Sequence, residues 1–216
     1  MKNRRIGLVD IGLDAAFGAS MNFVQSVMQN VNAGYLDEGG QPASVIEFDF
    51  VRSRDWRTIL SALTAEYSVL HVMAHGGHSD GEPTFWSGDE QTSVSVSELA
   101  QVLQQDQRGL RVGAVLADGC STGIGVWKQA IRECLQGEIT YIGTGRAIGW
   151  YDATVYSSAF YGALMRNRGR GCTSAEQTMD AAGRAGRAYV EITGKVCPYK
   201  AETLTPTRNA RRAFAA

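Results

Sequence analysis

The stretch Arg111-Val-Gly-Ala-Val-Leu-Ala-Asp-Gly-Cys120-Ser-Thr-Gly-Ile-Gly125 limits the fold more than any other part of the chain. Its first half is an apolar run too short for a helix and rich in Val and Leu, the pattern of a strand buried on both faces. After Gly125 a 3.6-residue apolar period begins, which places Cys120 at the carboxyl end of a buried strand. In open α/β sheets ligands bind at that edge, and the free amides that open the next helix favour negative charge, so a thiol there is exposed and open to reaction.

The remainder alternates strand and helix. Arg5 to Ile11 reads as a first strand, and Met21 to Val31 as an amphipathic helix with Phe23, Val24, Val27, Met28 and Val31 on one face. Glycines and a proline make Tyr35 to Pro42 a loop. Ala43 to Phe50 is a second strand, and Asp55 caps a helix to about Ala65 that carries Trp56, Ile59, Leu60 and Leu63 inward. Tyr67 to Ala74 is a third strand, followed by a long polar loop from His75 to Pro83 and a short hairpin arm at Thr84 to Ser87. Ser97 caps a helix to Gln105. The fourth strand follows, then a helix from Val126 to Leu135 with Val126, Ala130, Ile131, Cys134 and Leu135 on its inner stripe. Ile139 to Gly143 is a fifth strand, and helices span Tyr156 to Met165 and Ser174 to about Val190. Five strands separated by helices predict an α/β fold, a three-layer α/β/α sandwich with a mostly parallel central sheet.

At 216 residues the chain is one ordinary domain that buries roughly 70% of its unfolded surface. Residues 1–193 hold the sandwich. From Gly194 the composition shifts: Pro198 and Pro206 break the chain, and Lys195, Lys200, Arg208, Arg211 and Arg212 face only Glu202, so 194–216 reads as a basic, flexible tail, a mobile terminus or a docking or cleavable segment. A net charge of −1 without a basic helical stripe argues against nucleic acid and an anionic membrane surface as partners. Asp10 and Asp14 interrupt what would be a signal peptide's apolar region, and no apolar stretch approaches the ~18 residues of a membrane span. Cys120, Cys134, Cys172 and Cys197 have neither zinc-site spacing nor the density of a disulfide framework; a reducing cytoplasm fits them, with Cys134, Cys172 and Cys197 structural.

Two strand ends belong together. One runs Val69-Leu-His-Val-Met-Ala-His75-Gly76 and the other Ala114-Val-Leu-Ala-Asp-Gly-Cys120-Ser-Thr-Gly123, so an imidazole and a thiol share one sheet edge if the strands are neighbours. These motifs, with Gly143-Thr-Gly-Arg-Ala-Ile-Gly-Trp-Tyr-Asp152 leading into Ser158 to Leu164, resemble the CHAT family, the caspase-like cysteine peptidases related to separase and the metacaspases. The likeness covers roughly Val69 to Met165. It implies a caspase-like sandwich and a cysteine endopeptidase acting on protein or peptide substrates, with Cys120 as nucleophile and His75 moving protons, chiefly to the leaving amine. The amides of Gly76 and Cys120 are the expected oxyanion donors. Gly76 allows close backbone approach, and Gly119 the tight turn before the nucleophile.

The resemblance also bears on specificity. Asp118 lies two residues before the nucleophile, where caspase-like peptidases that cut after Arg or Lys, such as the metacaspases, carry an acid lining the primary pocket. Asp10, Asp14 and Asp152 are candidate second acids, and Arg146 is the residue that would reverse the preference. Between Arg5 and Arg52 there is no Arg or Lys, which argues against an Asp-directed pocket. No metal or cofactor is expected beyond calcium as one candidate activator: His75, His78 and Cys120 lack a close-spaced ligand pair on the cysteine side, and the glycines after the fifth strand are one residue off a dinucleotide loop. Relatives act in bacterial defence and cell death, so a companion protein as activator or substrate fits, as does self-cleavage. The segments His75 to Ser93 and Arg146 to Thr154 read as disordered until something docks. His71 reads as a core histidine. The competing readings are a catalytically silent caspase-like module that binds a partner, and a receiver-like or flavin-binding domain, which the acidic first loop disfavours.

Overall fold

The computed structural model describes residues 4–33, 46–166 and 175–214. In chain order the elements are β1 (Arg4–Asp10), α1 (Ala15–Ala33), β2 (Ile46–Arg52), α2 (Trp56–Leu63), β3 (Tyr67–Met73), β4 (His75–Ser79), β5 (Glu82–Trp86), β6 (Ser93–Ser95), α3 (Val96–Gln105), β7 (Val112–Asp118), α4 (Gly125–Cys134), β8 (Ile139–Thr144), α5 (Trp150–Arg166), α6 (Ala175–Thr193), β9 (Tyr199–Leu204) and α7 (Arg208–Ala213). The loop expected at Tyr35 to Pro42, the expected start of the second strand at Ala43, and Cys172 lie outside the described residues.

A central sheet has the order β2-β1-β3-β7-β8-β9, parallel except for β9, which runs antiparallel to β8. The near-continuous apolar runs of β3, β7 and β8 are buried on both faces, as an internal parallel sheet demands. One face packs against α2, α3, α4 and α7 through Ile59, Leu63, Leu99, Leu103, Trp127, Ile131 and Phe214. The other packs against α1, α5 and α6 through Met21, Val24, Met28, Phe160, Tyr161, Leu164 and Ala185. Each fully buried large side chain contributes about 1.5–3 kcal/mol against conformational entropy. The predicted α/β/α sandwich is thus the observed one.

Local structure corrects several expectations. Phe23 and Val126 are exposed, and Trp127 takes the inner place on α4. For Val126 the cause is the segment after β3, which is no disordered loop: β4, β5 and β6 form a three-stranded antiparallel sheet, and Phe85 of β5 meets the Trp127 ring edge-on at 4.7 Å. Ser95 rather than Ser97 caps α3, accepting from the Glu98 amide at 3.3 Å in a Ser-x-x-Glu box. Ser97 bonds Glu82 instead. α5 begins at Trp150, so Trp150 to Thr154 is helix rather than waiting loop.

The largest correction is at the carboxyl end. Residues 199–204 complete the sheet as β9, and Thr207 caps α7, accepting from the Ala210 amide at 3.1 Å while its hydroxyl donates to Glu133 at 2.7 Å. Tyr199, Leu204, Ala210 and Phe214 are buried, while Lys200 faces out, the usual protection of an edge strand. The basic residues that suggest a tail are the outer side of an ordered segment. No helix is long and apolar enough to cross a membrane among the described residues.

Candidate active site

The carboxyl ends of four adjacent strands, β1, β3, β7 and β8, converge at one edge of the sheet. β1 sits where the strand order reverses, between β2 and β3, the position at which open α/β sheets leave a crevice. β3 and β7 are in register with Met73 opposite Asp118, and the Ala74 amide donates to the Asp118 carbonyl at 3.2 Å. His75 and Cys120 therefore emerge side by side. They line one cleft of about 150 Å³ together with Phe17, Asp118, Ile148 and Trp150.

The turn that carries the thiol is stitched to β8. Thr122 Oγ1 donates to the Ala117 carbonyl at 2.8 Å and accepts from the Thr144 amide at 3.1 Å, Tyr141 donates to the Thr122 carbonyl at 2.7 Å, and Thr144 Oγ1 bonds the Gly119 carbonyl at 2.5 Å. Gly76 lies flat against this turn: a Cβ on it would overlap the Cys120 carbonyl oxygen and stand 2.9 Å from the Cys120 amide nitrogen. That contact sets the Gly76 backbone directly against that of Cys120. The thiol itself is half-buried, with its Sγ 3.5 Å from the Ile148 amide and 3.8 Å from the Ile148 carbonyl.

His75 is held from three sides. Its Nε2 lies 2.5 Å from Asp14 Oδ2, Phe17 meets its ring edge-on at 5.4 Å, and Trp150 stands at 6.3 Å, also edge-on. With Nε2–H given to the carboxylate, Nδ1 carries the free lone pair. Asp14 is itself fixed by the turn after β1, where Arg52 donates through Nη2 to the carbonyls of Leu13 and Asp14, the latter at 3.0 Å. Sequence reasoning took Asp14 for a pocket acid; the structure sets it behind the imidazole, a relation between residues 61 apart that no local spacing announces.

The other acids are distributed differently. Asp118 is 3% exposed at the floor of the cleft, where Tyr199 donates to Oδ1 and His71 Nε2 lies 3.3 Å from Oδ2. Tyr161 completes the chain at 3.1 Å from His71 Nδ1, so the buried histidine read from the sequence is a satisfied one. Burial pushes the Tyr161 and Tyr199 hydroxyls well above their ordinary range, and the Asp118 charge adds to it. Asp10 is fully buried beneath the β1 turn, away from the cleft: Oδ1 accepts from the Leu13 amide at 2.8 Å and Oδ2 is 3.4 Å from Arg52 Nε. Burial pushes its carboxyl up despite these partners. Asp152 turns to the surface and pairs with Lys195 at 3.1 Å. Arg146 is exposed and donates to the Val196 carbonyl at 2.8 Å, so among the described residues lining the cleft there is no Lys or Arg. Among the described residues no group of His, Cys, Asp or Glu is arranged to hold a metal ion.

A thiol, an imidazole braced by a carboxylate, and the amides of two touching backbone segments are a set that can attack a carbonyl, hold the oxyanion and protonate a leaving group. The sandwich that carries them is the caspase-like one. No family profile and no curated protein matches the sequence. Among solved structures the chain is similar to the Arg-specific cysteine proteinase gingipain R, at 10% identity and a TM-score of 0.57 over 94% of this chain and 46% of that one. It is similar also to the complex of the pro- and mature domains of that proteinase from Porphyromonas gingivalis (11%, 0.56, 94% and 47%) and to an inactive zymogen C11 protease from Parabacteroides distasonis (12%, 0.51, 87% and 59%). The chain thus spans about half the length of these structures, and at such identities the likeness is one of fold.

Proposed function

We propose that the protein is a cysteine endopeptidase of the CHAT type. One observation carries the reading: His75 and Cys120 line one cleft at the ends of adjacent strands, with Asp14 bonded to the far nitrogen of the imidazole. His75 Nδ1 takes the thiol proton as Sγ attacks the scissile carbonyl, the oxyanion turns to the amides of Gly76 and Cys120, and the tetrahedral adduct collapses as His75 gives that proton to the departing amine. Water then attacks the thioester, His75 takes its proton, and the acid product leaves with Sγ restored. That the similar solved structures are cysteine proteases supports this. The test is cleavage of casein and fluorogenic peptides by wild type, Cys120→Ala and His75→Ala; activity surviving in purified Cys120→Ala would end the reading.

For specificity we read a preference for Arg or Lys before the bond, supported by Asp118 at the cleft floor and by the absence of a cation among the lining residues. The backbone of Ile148 against the thiol favours an enzyme that needs activation by a partner protein, an ion such as calcium, or self-cleavage, since an incoming carbonyl has to replace that contact. The same contact is what a catalytically silent binding module would show. A place in bacterial defence or cell death rests on the CHAT resemblance, and a reducing cytoplasm on the number and spacing of the cysteines. Alkylation of Cys120 followed by mass spectrometry separates the enzyme, which labels, from the silent module, which does not.

A further inference from the structure

A second cavity opens on the other side of His75. It is about 460 Å³ and is lined by His75, Trp86, Ser87, Gly88 and Glu90; of these, only His75 also faces the cleft with the thiol. Its wall is rigid. The Gly88 amide donates to the Gly12 carbonyl at 2.7 Å, the Ser87 amide to the Thr92 carbonyl at 2.8 Å, the Thr92 amide to Ser87 Oγ at 2.9 Å, and the Glu90 amide to the Ser87 carbonyl at 3.0 Å. Asp89, the neighbouring acid, is taken up by the fork of Arg54, which leaves Glu90 as the carboxylate of this wall.

From this geometry we infer that the cavity beside the hairpin binds the residue following the scissile bond and selects a basic one. The inference rests on the peptidase reading. His75 protonates the leaving nitrogen, so the chain before the bond occupies the Cys120 side and the chain after it leaves across the imidazole, into the space that only His75 shares. A Lys or Arg there lays its methylene stem along the half-exposed indole of Trp86 and its cation toward Glu90.

Internally quenched peptides identical up to the bond and followed by Lys, Leu or Glu test this. An aminocoumarin amide of the same leading sequence carries no side chain after the bond and reports turnover by itself. Wild type is expected to favour Lys over Leu in kcat/KM by about fivefold, the range of an exposed ion pair on an aromatic face, and to disfavour Glu. Glu90→Gln should collapse the Lys to Leu ratio, and Glu90→Lys should reverse the order of Lys and Glu. Equal rates for the three peptides in wild type, or a ratio unmoved in Glu90→Gln, would overturn the site while leaving the peptidase intact. No turnover of the coumarin amide would overturn the peptidase reading. Calorimetry with a Lys-headed peptide on Cys120→Ala then decides the site: binding weakened by adding Glu90→Gln supports it, and unchanged binding rejects it.

Discussion

Asp14 Oδ2 sits 2.5 Å from His75 Nε2, although the two residues come from different strand ends and are 61 apart in sequence. The carboxylate fixes the tautomer and the ring plane, as the third member of a hydrolytic triad does. Asp14→Asn should therefore lower kcat by about two to four orders of magnitude with KM little changed, and Asp14→Glu should recover part of it. An Asp14→Asn enzyme with wild-type kcat on a fluorogenic peptide would show the carboxylate to be a bystander.

Gly76 has no room for a side chain, whereas its neighbour Gly77 has: a Cβ on Gly77 comes no nearer than 3.7 Å to Trp86. Gly76→Ala is expected to push the Cys120 turn off its bonds to β8, costing about 1–3 kcal/mol in a denaturant melt and all measurable peptidase activity. Gly77→Ala serves as the control and should keep both. Equal behaviour of the two variants would remove the steric argument.

Asp118 is engaged on both oxygens before any substrate arrives. Tyr199→Phe withdraws one donor, leaves an oxygen free for a guanidinium and should raise kcat/KM for Arg and Lys relative to Leu before the bond; Asp118→Asn should abolish the Arg and Lys advantage with the dyad intact. A panel with Arg, Lys, Asp, Leu or Asn at that position reads the ratios. Preference for Asp in wild type, or Arg cleavage undiminished in Asp118→Asn, would refute Asp118 as the specificity acid.

Asp10 makes the pH dependence of folding testable. Its carboxyl is raised by burial above the ordinary value, so the native state holds this proton more tightly than the unfolded chain does. Below the unfolded value of about 3.9 this costs nothing; as pH rises through the folded value, ionisation in the native state lags that of the unfolded chain and stability is lost. Asp10→Asn should therefore gain stability relative to wild type between pH 3.5 and 7 in urea titrations. A difference constant over that range would mean Asp10 titrates alike in both states.

The sheet, and the meeting of His75 and Cys120 at neighbouring strand ends, were legible because each rests on local pattern: β3 and β7 are continuous apolar runs, and His75-Gly and Gly-Cys120 close them. What escaped is what depends on partners far along the chain. Lys200 and Glu202 look like tail residues until Tyr199 and Leu204, at the two ends of the strand that holds them, are seen buried beside β8. Trp127 goes inward rather than Val126 because β5 supplies Phe85, and nothing in the α4 sequence announces a second sheet. Asp14, Asp118 and Asp152 are alike as letters. One braces His75, one is locked by Tyr199 and His71, and one forms a surface pair with Lys195.

The Ile148 backbone lays its amide and carbonyl against the Cys120 sulfur, which stays half-exposed in the cleft. A reagent that has to displace this contact is expected to react when residues 145–149 move off the sulfur. At low reagent the labelling rate rises with concentration; at high reagent it levels at the frequency of opening, which makes the alkylation plateau a clock for the segment itself. An activator of the kind proposed above should raise that plateau before any substrate is added.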